Sequence, residues 1–466
     1  MIGLLFQMLQ ARGLGPPTRG PGVEEIPAGL TVHSLYQPVV DLSTRALVGY
    51  EALARGPVGT PWESPAALFE SARAHGTVGQ LDWMCRVSAL RGALEANLPT
   101  GLQLFVNMEP SAMNLAPPAG VAALLAEASR LSVVVEITER DLIADPASLL
   151  EAVERVRDRR WLVAVDDVGA ETASLALLPF LRPDIIKLDM TFTQQRATAD
   201  TARVLAAVSA ESDRTGAVVL AEGIETEEHL HLAREMGAAL GQGWLFGTPA
   251  PLPRREPHAG PTAADLPSDS PFAVGLTHRM PSAPTPFALA AATGGIRRGR
   301  LSLLSTIIDQ FALHAAATGP STIVLATVPH SFEVSAEQMH QAAHLAASGT
   351  LVALFGRGGA ATTPPVPGLH TMRLPAADPL LRELSVIVVS PHFTAAVIGA
   401  ETDGDGSTES DPVFDYRLTY DRELVLDAAT LLLRRTTPVP TEPGSGPLPV
   451  FGPQRPPRMF GHGRNG

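Results

Sequence analysis

The stretch WLVAVDDVG, residues 161–169, runs from a tryptophan through four aliphatic residues into two adjacent aspartates, a valine and a glycine. Its first half has the length and β-branched content of a buried strand. Its second half sets Asp166 beside Asp167, where each carboxylate repels the other and resists losing water. The pattern recurs on both sides. ALVGY leads into Glu51, LQLFV into Asn107, LSVVV into Glu136, DII into Lys187, AVVLA into Glu222 and AALG into Gln242. Segments with helical spacing, such as DPASLLEAVERVRDRR and TEEHLHLAREMG, follow most of these runs. Alternating strands and helices predict a parallel sheet with crossover helices, and a span of about 220 residues favours a closed (β/α)8 barrel over an open doubly wound sheet. A barrel brings the C-terminal ends of all its strands to one mouth, so residues far apart in sequence meet there.

The bulk properties agree with a globular chain of more than one domain. The chain has 466 residues, 45% of them hydrophobic, and a net charge of −13. That acidity works against non-specific binding to a nucleic acid polymer. A single cysteine, Cys85, excludes an internal disulfide framework and favours a cytoplasmic setting. The opening MIGLLFQMLQARG lacks the basic start and cleavage site of a signal peptide, and no apolar run is long enough to span a membrane. Shifts in composition divide the chain into a flexible leader (1–29), the barrel (30–252), a Pro/Ala/Ser-rich linker (253–297), a second patterned unit (298–435) and a tail (436–466) expected to be disordered.

If Glu51, Asn107, Glu136, Asp166, Asp167 and Glu222 converge on one rim, five carboxylates and an amide oxygen share a small space. Such a set would take up protons or open the fold unless cations enter it. With no His or Cys among the donors, it suits hard divalent ions, Mg2+, Mn2+ or Ca2+, better than Zn2+. Two adjacent aspartates allow one carboxylate to bridge two ions while its neighbour serves the second. Lys187 adds a cation suited to orienting a water or a phosphoryl oxygen, which points to hydrolysis of a phosphate ester. A lone acid after a strand is more often a helix cap than a ligand. Capping does not require Asn, Glu and Lys on successive strand ends.

The motifs YQPVVDLSTRALVGYEALAR, FVN, VEITER, DDVG, PDIIKLDMTF, LAEGIET and GQGWLFGTPAP stand in the order and spacing of the EAL-domain family of cyclic di-GMP phosphodiesterases, which residues 30–252 resemble. The resemblance implies a modified TIM barrel that opens cyclic di-GMP to linear pGpG with a two-metal site of Mg2+ or Mn2+. It implies that Glu51, Asn107, Glu136 and Asp166 bind the first ion, and Asp166 and Asp167 the second. Glu222 would be a metal-associated or general-base carboxylate, and Lys187 would contact the attacking water. Gln37 and Arg55 would contact substrate, with Gln242 and Glu225 supporting the site and Glu139 anchoring the loop after the paired aspartates. The family commonly forms a homodimer through that loop. Here the loop departs from the family pattern, with Val168 for Phe, Glu171 for Gly, Thr172 for an aromatic residue and Ala173 for Ser. A receptor that binds cyclic di-GMP without cutting it is therefore the alternative function, and a scaffold that binds no nucleotide fits Gln37, Arg55 and Lys187 poorly.

The second unit offers a helix (LSLLSTIIDQFALHAAA), a strand (STIVLATV), a second helix and strand, and the segments RELSVIVVSPHFTAAVIGAE and FDYRLTYDRELV. These resemble the DICT sensory domain, which implies regulation by an unknown ligand or protein partner. Glu383, His392 and Arg422 are candidate ligand contacts there, each more readily explained as a surface, interface or turn residue. No Cys-His spacing, Gly-rich phosphate loop or nucleophile elbow is present in this unit.

Overall fold

Eight strands, taken in sequence order, close into a barrel in the computed structural model. It describes residues 30–109, 112, 115–118, 120–138, 145–169, 175–195, 198–253, 281–332, 334–357, 366, 368–402 and 411–436. The strands are β1 (His33–Asp41), β2 (Leu47–Arg55), β3 (Gln103–Met108), β4 (Ser132–Thr138), β5 (Leu162–Val168), β6 (Ile185–Leu188), β7 (Val218–Ala221) and β8 (Leu240–Gln242). Helices α1 (Pro65–His75) and α2 (Val78–Glu95) link β2 to β3, and α3 (Ala122–Ala128) and α4 (Pro146–Asp158) precede β4 and β5. Then come α5 (Leu178–Leu181), α6 (Met190–Gln194), α7 (Ala199–Thr215) and α8 (Glu227–Glu235). The local chemistry matches the elements. Asp145 caps α4 by accepting from Ser148 N, with Pro146 in the first turn, and Thr226 caps α8 ahead of Glu227 and Glu228.

The seven runs that lead into polar residues form the parallel strands β2 to β8. The barrel is not wholly parallel, however, because β1 runs antiparallel to both β2 and β8. The cause is the link to β2. Asp41 Oδ1 accepts from the backbone N–H groups of Ser43 and Thr44, a tight turn too short for a crossover.

Side chains that alternate along each strand fill the lumen with Val39, Phe105, Val134, Ala164, Ile185, Leu220 and Leu240. Two residues nearer the mouth along the same strands stand Gln37, Asn107, Glu136, Asp166, Lys187, Glu222 and Gln242. The period of two that puts an apolar layer inside the barrel thus puts a polar layer directly above it. Outside, helices such as α4 bury one face, here Leu149, Leu150, Val153 and Val156, each contributing roughly 1.5–3 kcal/mol of transfer free energy.

The second unit is a mixed seven-stranded sheet between two helical layers. Its elements are α9 (Pro286–Ala292), β9 (Arg297–Arg300), α10 (Leu301–Thr318), β10 (Ile323–Thr327), α11 (Ala336–Ala347), β11 (Leu351–Gly356), β12 (Leu369–Arg373), β13 (Glu383–Val389), β14 (Thr394–Glu401), β15 (Val413–Thr419) and α12 (Arg422–Leu433). The strand order is β12-β11-β10-β13-β14-β15-β9. Helices α9 and α12 cover one face, and α10 and α11 the other. The stretch read as linker therefore contributes α9 and the start of β9. Its proline content hides an alanine-rich helix, with Thr285 as N-cap and Pro286 in the first turn. Residues 1–29, 254–280 and 437–466 lie outside the described residues, as does most of the loop after the paired aspartates. Among the described residues no helix is long and apolar enough to cross a membrane.

Candidate functional site

The barrel mouth brings together most of the residues singled out in the sequence. Lys187, 1% exposed, places its ammonium 2.6 Å from Glu136 Oε1, 2.8 Å from Asp166 Oδ1, 2.7 Å from Glu222 Oε1 and 3.7 Å from Glu51 Oε2. Asn107 Nδ2 donates to Glu51 Oε1 at 3.1 Å and to Glu136 Oε2 at 3.0 Å. Gln242 Nε2 donates to Glu51 Oε2 at 2.6 Å and to Gln37 Oε1 at 3.2 Å, and Gln37 Nε2 donates to the Gly247 carbonyl at 3.1 Å. Side-chain exposure rises from 0% for Glu136 through 11% for Asp166 to 21% for Glu222, and Asn107 is exposed, so solvent reaches the mouth past Asn107 as well as past Glu222.

A bulge resolves the problem of the adjacent aspartates. In a regular strand neighbouring side chains face opposite ways. Between Val165 and Val168, β5 advances one residue more than its partner β6. Asp167 there takes a left-handed backbone (φ 57°), which aspartate tolerates better than most residues. Both carboxylates thereby turn to the mouth, and Asp166, Asp167 and Glu222 each offer an oxygen within 4.8 Å of the others. Gly169 completes the turn at φ 104°, where a Cβ would stand 2.4 Å from the Phe192 ring.

The electrostatics of this mouth are unbalanced. Burial pushes the Glu136 carboxyl well above its usual range, and Glu51 and Asp166 push the same way against Lys187. Burial likewise raises Glu222, helped by Asp166, Glu51 and Asp167 and opposed by Lys187. For Lys187 burial favours the neutral amine, but Asp166, Glu136, Glu222 and Glu51 together hold its pKa well above the ordinary lysine value. Glu136 Oε1 and Asp166 Oδ1 reach Lys187 at ion-pair distance without well-directed hydrogen bonds, and Gln242 Oε1 is buried with no hydrogen-bond partner. Fully ionised, five carboxylates against one ammonium leave four negative charges, the charge of two divalent cations. The donors are all oxygen, which fits hard ions.

The remaining predicted residues are less central. Arg55 is half-buried at the end of β2 and donates to the Ala54 carbonyl; burial lowers its pKa, against Glu51 and Glu63. Glu225 is exposed on the lip, where its backbone N–H donates to His229 Nδ1. Glu139 lies outside the described residues. In the second unit Glu383 is buried and accepts from Phe287 N at the start of α9, His392 is exposed, and Arg422 faces Glu211 of the barrel.

Two supports were not legible in the sequence. Thr193 Oγ1 bonds the Glu222 carbonyl at 2.7 Å, pinning the backbone that carries this carboxylate. Buried Asp82 accepts from Glu109 N, two residues past Asn107, and pairs with Arg86, whose guanidinium stacks 3.8 Å over Trp83. The i,i+4 Asp-Arg pair in LDWMCR was the available sign of the second. The first depends on a neighbour that only the fold supplies.

Fold and site together define a (β/α)8-type barrel with an acidic, cation-accepting mouth. Residues 27–249, a little under half of the chain, match the EAL domain. RocR of Pseudomonas aeruginosa, named a cyclic di-GMP phosphodiesterase, is 32% identical over 246 residues, covering 50% of this chain and 61% of RocR. PdeG of Escherichia coli, named a probable cyclic di-GMP phosphodiesterase, is 30% identical over 224 residues, covering 46% of this chain and 44% of PdeG. The chain thus spans less than two thirds of the length of these curated relatives. BlrP1 of Klebsiella pneumoniae, solved as a manganese/cyclic di-GMP complex, is 27% identical with a TM-score of 0.42, covering 49% of this chain and 58% of that one.

Proposed function

We propose that this chain is a metal-dependent phosphodiesterase that hydrolyses cyclic di-GMP to linear pGpG under the control of its C-terminal unit. The observation that carries this reading is the gathering of five carboxylates, an asparagine and a buried lysine at the mouth of a barrel that matches the EAL domain. In this reading Glu51, Asn107, Glu136 and Asp166 hold one divalent ion, and Asp166 and Asp167 a second beside Glu222. Mg2+ or Mn2+, when bound, supplies Lewis acidity and lowers the pKa of water. Asn107 then turns its amide oxygen inward in place of the NH2 it now presents to the carboxylates.

The protein's own groups account for the rest. Lys187 orients the attacking water, and Glu222, the most exposed of the carboxylates around Lys187, accepts its proton. Arg55 offers a planar fork to phosphate oxygens, Gln37 gives a further polar contact, and Gln242 holds Glu51 in place. One water is consumed: its oxygen bonds to phosphorus as the bond to a ribose 3′ oxygen breaks, and that oxygen leaves with a proton. Glu139 and Glu225 are assigned supporting roles. A homodimer through the barrel, a cytoplasmic setting and an unidentified ligand or partner for the C-terminal unit belong to the same proposal.

The test is product analysis by chromatography. Purified protein with Mg2+ or Mn2+ yields pGpG, and Glu51→Ala abolishes it. Folded wild-type protein that is inert with both metals refutes the enzyme; if it still binds cyclic di-GMP, the receptor reading replaces it.

A further inference from the structure

Away from the barrel, the second unit holds a cavity of about 400 Å3 at one end of its sheet, a size usual for a small-molecule site. Four neighbouring strands meet there, the C-terminal ends of β10 and β14 and the N-terminal ends of β13 and β15. The chain leaves β10 for β11, its parallel neighbour on one side, whereas β13 flanks β10 on the other side and runs antiparallel to it. Divergence of this kind opens a crevice at the carboxyl end of a strand, the position at which α/β sheets take up ligands.

The lining of the cavity carries one full charge of each sign. Arg382, the residue before β13, brings a guanidinium, and Glu401, the last residue of β14, brings a carboxylate whose side chain is 13% exposed. Glu401 is held in place, since Ser331 Oγ donates to its Oε1 and His330 Nδ1 lies 3.7 Å from its Oε2. The His330 ring is fixed in turn, because its Nδ1 and its backbone N–H both meet the Leu381 carbonyl, at 2.9 and 2.7 Å. A carbonyl only accepts, so Nδ1 carries the hydrogen, and in the neutral ring Nε2 is an acceptor. Pro412 and Val413 add an apolar wall. A cation binder, an anion binder and a short apolar surface thus share one crevice, and the charges of Arg382 and Glu401 cancel.

We propose that this cavity binds a small zwitterion, an α-amino acid with an apolar side chain. Its ammonium meets Glu401 and the acceptor edge of His330, its carboxylate meets Arg382, and its side chain lies on Pro412 and Val413. A neutral pair of fixed charges suits a ligand that is itself neutral overall but carries both signs, whereas a simple anion or cation leaves one of the two unmatched. The proposal rests on the reading of the C-terminal unit as a ligand-binding one, and it names the ligand class; it does not require turnover at the barrel mouth.

Calorimetric titration of the full chain with L-leucine and two analogues tests this. L-leucine binds. 4-Methylpentanoate, which lacks the ammonium, and L-leucinamide, which lacks the carboxylate, each bind about tenfold or more weakly to wild-type protein. Glu401→Gln keeps an acceptor for Ser331 but loses the charge; L-leucine binding weakens by about tenfold or more, while 4-methylpentanoate stays within about twofold of wild type. Arg382→Gln shows the converse, weakening L-leucine by about tenfold and leaving L-leucinamide within about twofold. A misfolded variant loses both ligands and cannot give this crossed pattern, and the analogue series on wild-type protein stands without any variant. No binding of L-leucine up to about 10 mM overturns the site. Either analogue binding as tightly as L-leucine overturns the zwitterion, and unchanged L-leucine affinity in both variants overturns the placement. L-leucine binding intact in a protein that forms no pGpG refutes the phosphodiesterase alone, so the two failures are distinct.

Discussion

Replacing Lys187 by methionine keeps most of the length of the side chain and removes the one cation that, among the described residues, pairs with four buried or half-buried carboxylates. Three of them stand 2.6–2.8 Å from the ammonium and the fourth 3.7 Å away. Removing one partner of a buried ion pair costs roughly 3–5 kcal/mol, because the other charge is left without compensation. Glu136 and Glu222 already tend to hold protons, and further protonation relieves part of the repulsion, so the lower end of that range is expected. For a unit of the barrel's size, about 3 kcal/mol corresponds to a drop of roughly 6–12 °C in melting temperature. The assay is calorimetric melting in chelator and again with saturating Mn2+. In chelator Lys187→Met melts lower by that amount. With Mn2+ most of the loss disappears, since the ions bring the positive charge that the variant lacks, and product formation stays abolished because the water is no longer oriented. Equal loss in both buffers, or none in chelator, refutes the view of the mouth as a cation-balanced cluster.

Three further outcomes follow from the same site. Glu136 and Glu222 have raised pKa values, so their favourable contribution to metal-free stability is present below the usual glutamate value of 4.5 and is lost as pH rises through the folded values. Lys187, also raised, keeps its contribution through neutral pH and loses it only as pH climbs through its folded value, above 10.5. Melting of the metal-free protein therefore falls as pH rises above the usual glutamate value, while Mn2+ binding tightens in the same direction and releases protons, measurable by calorimetry in buffers of different ionisation enthalpy. Asp167→Asn keeps the left-handed backbone and melts like wild type in chelator but binds Mn2+ more weakly, whereas Asp167→Val adds about 1–2 kcal/mol of backbone strain and melts roughly 2–8 °C lower. Thr193→Val removes the bond to the Glu222 carbonyl; kcat falls with KM unchanged and stability drops by about 1 kcal/mol, measured by steady-state kinetics and urea unfolding.

The sequence by itself determined seven of the barrel's eight strands, β2 to β8, the level at which their polar residues stand, and their chemical type. An apolar run that ends in a charged residue and is followed by a helix is a local pattern, and the period of two carries lumen and mouth together, as Ile185 and Lys187 show on β6. Only the tertiary structure decided the rest. The reversal of β1 rests on hydrogen bonds in one short turn, and the helix within the supposed linker was hidden by proline-rich composition. That Asp166 and Asp167 face the same way depends on a bulge measured against β6, a strand some twenty residues further on. Thr193 beneath Glu222 and Glu423 against Arg182 and Arg214 are pairings between distant segments. Periodicity reports which side of its own element a residue occupies; which element lies across from it is fixed by packing, and no local pattern records that.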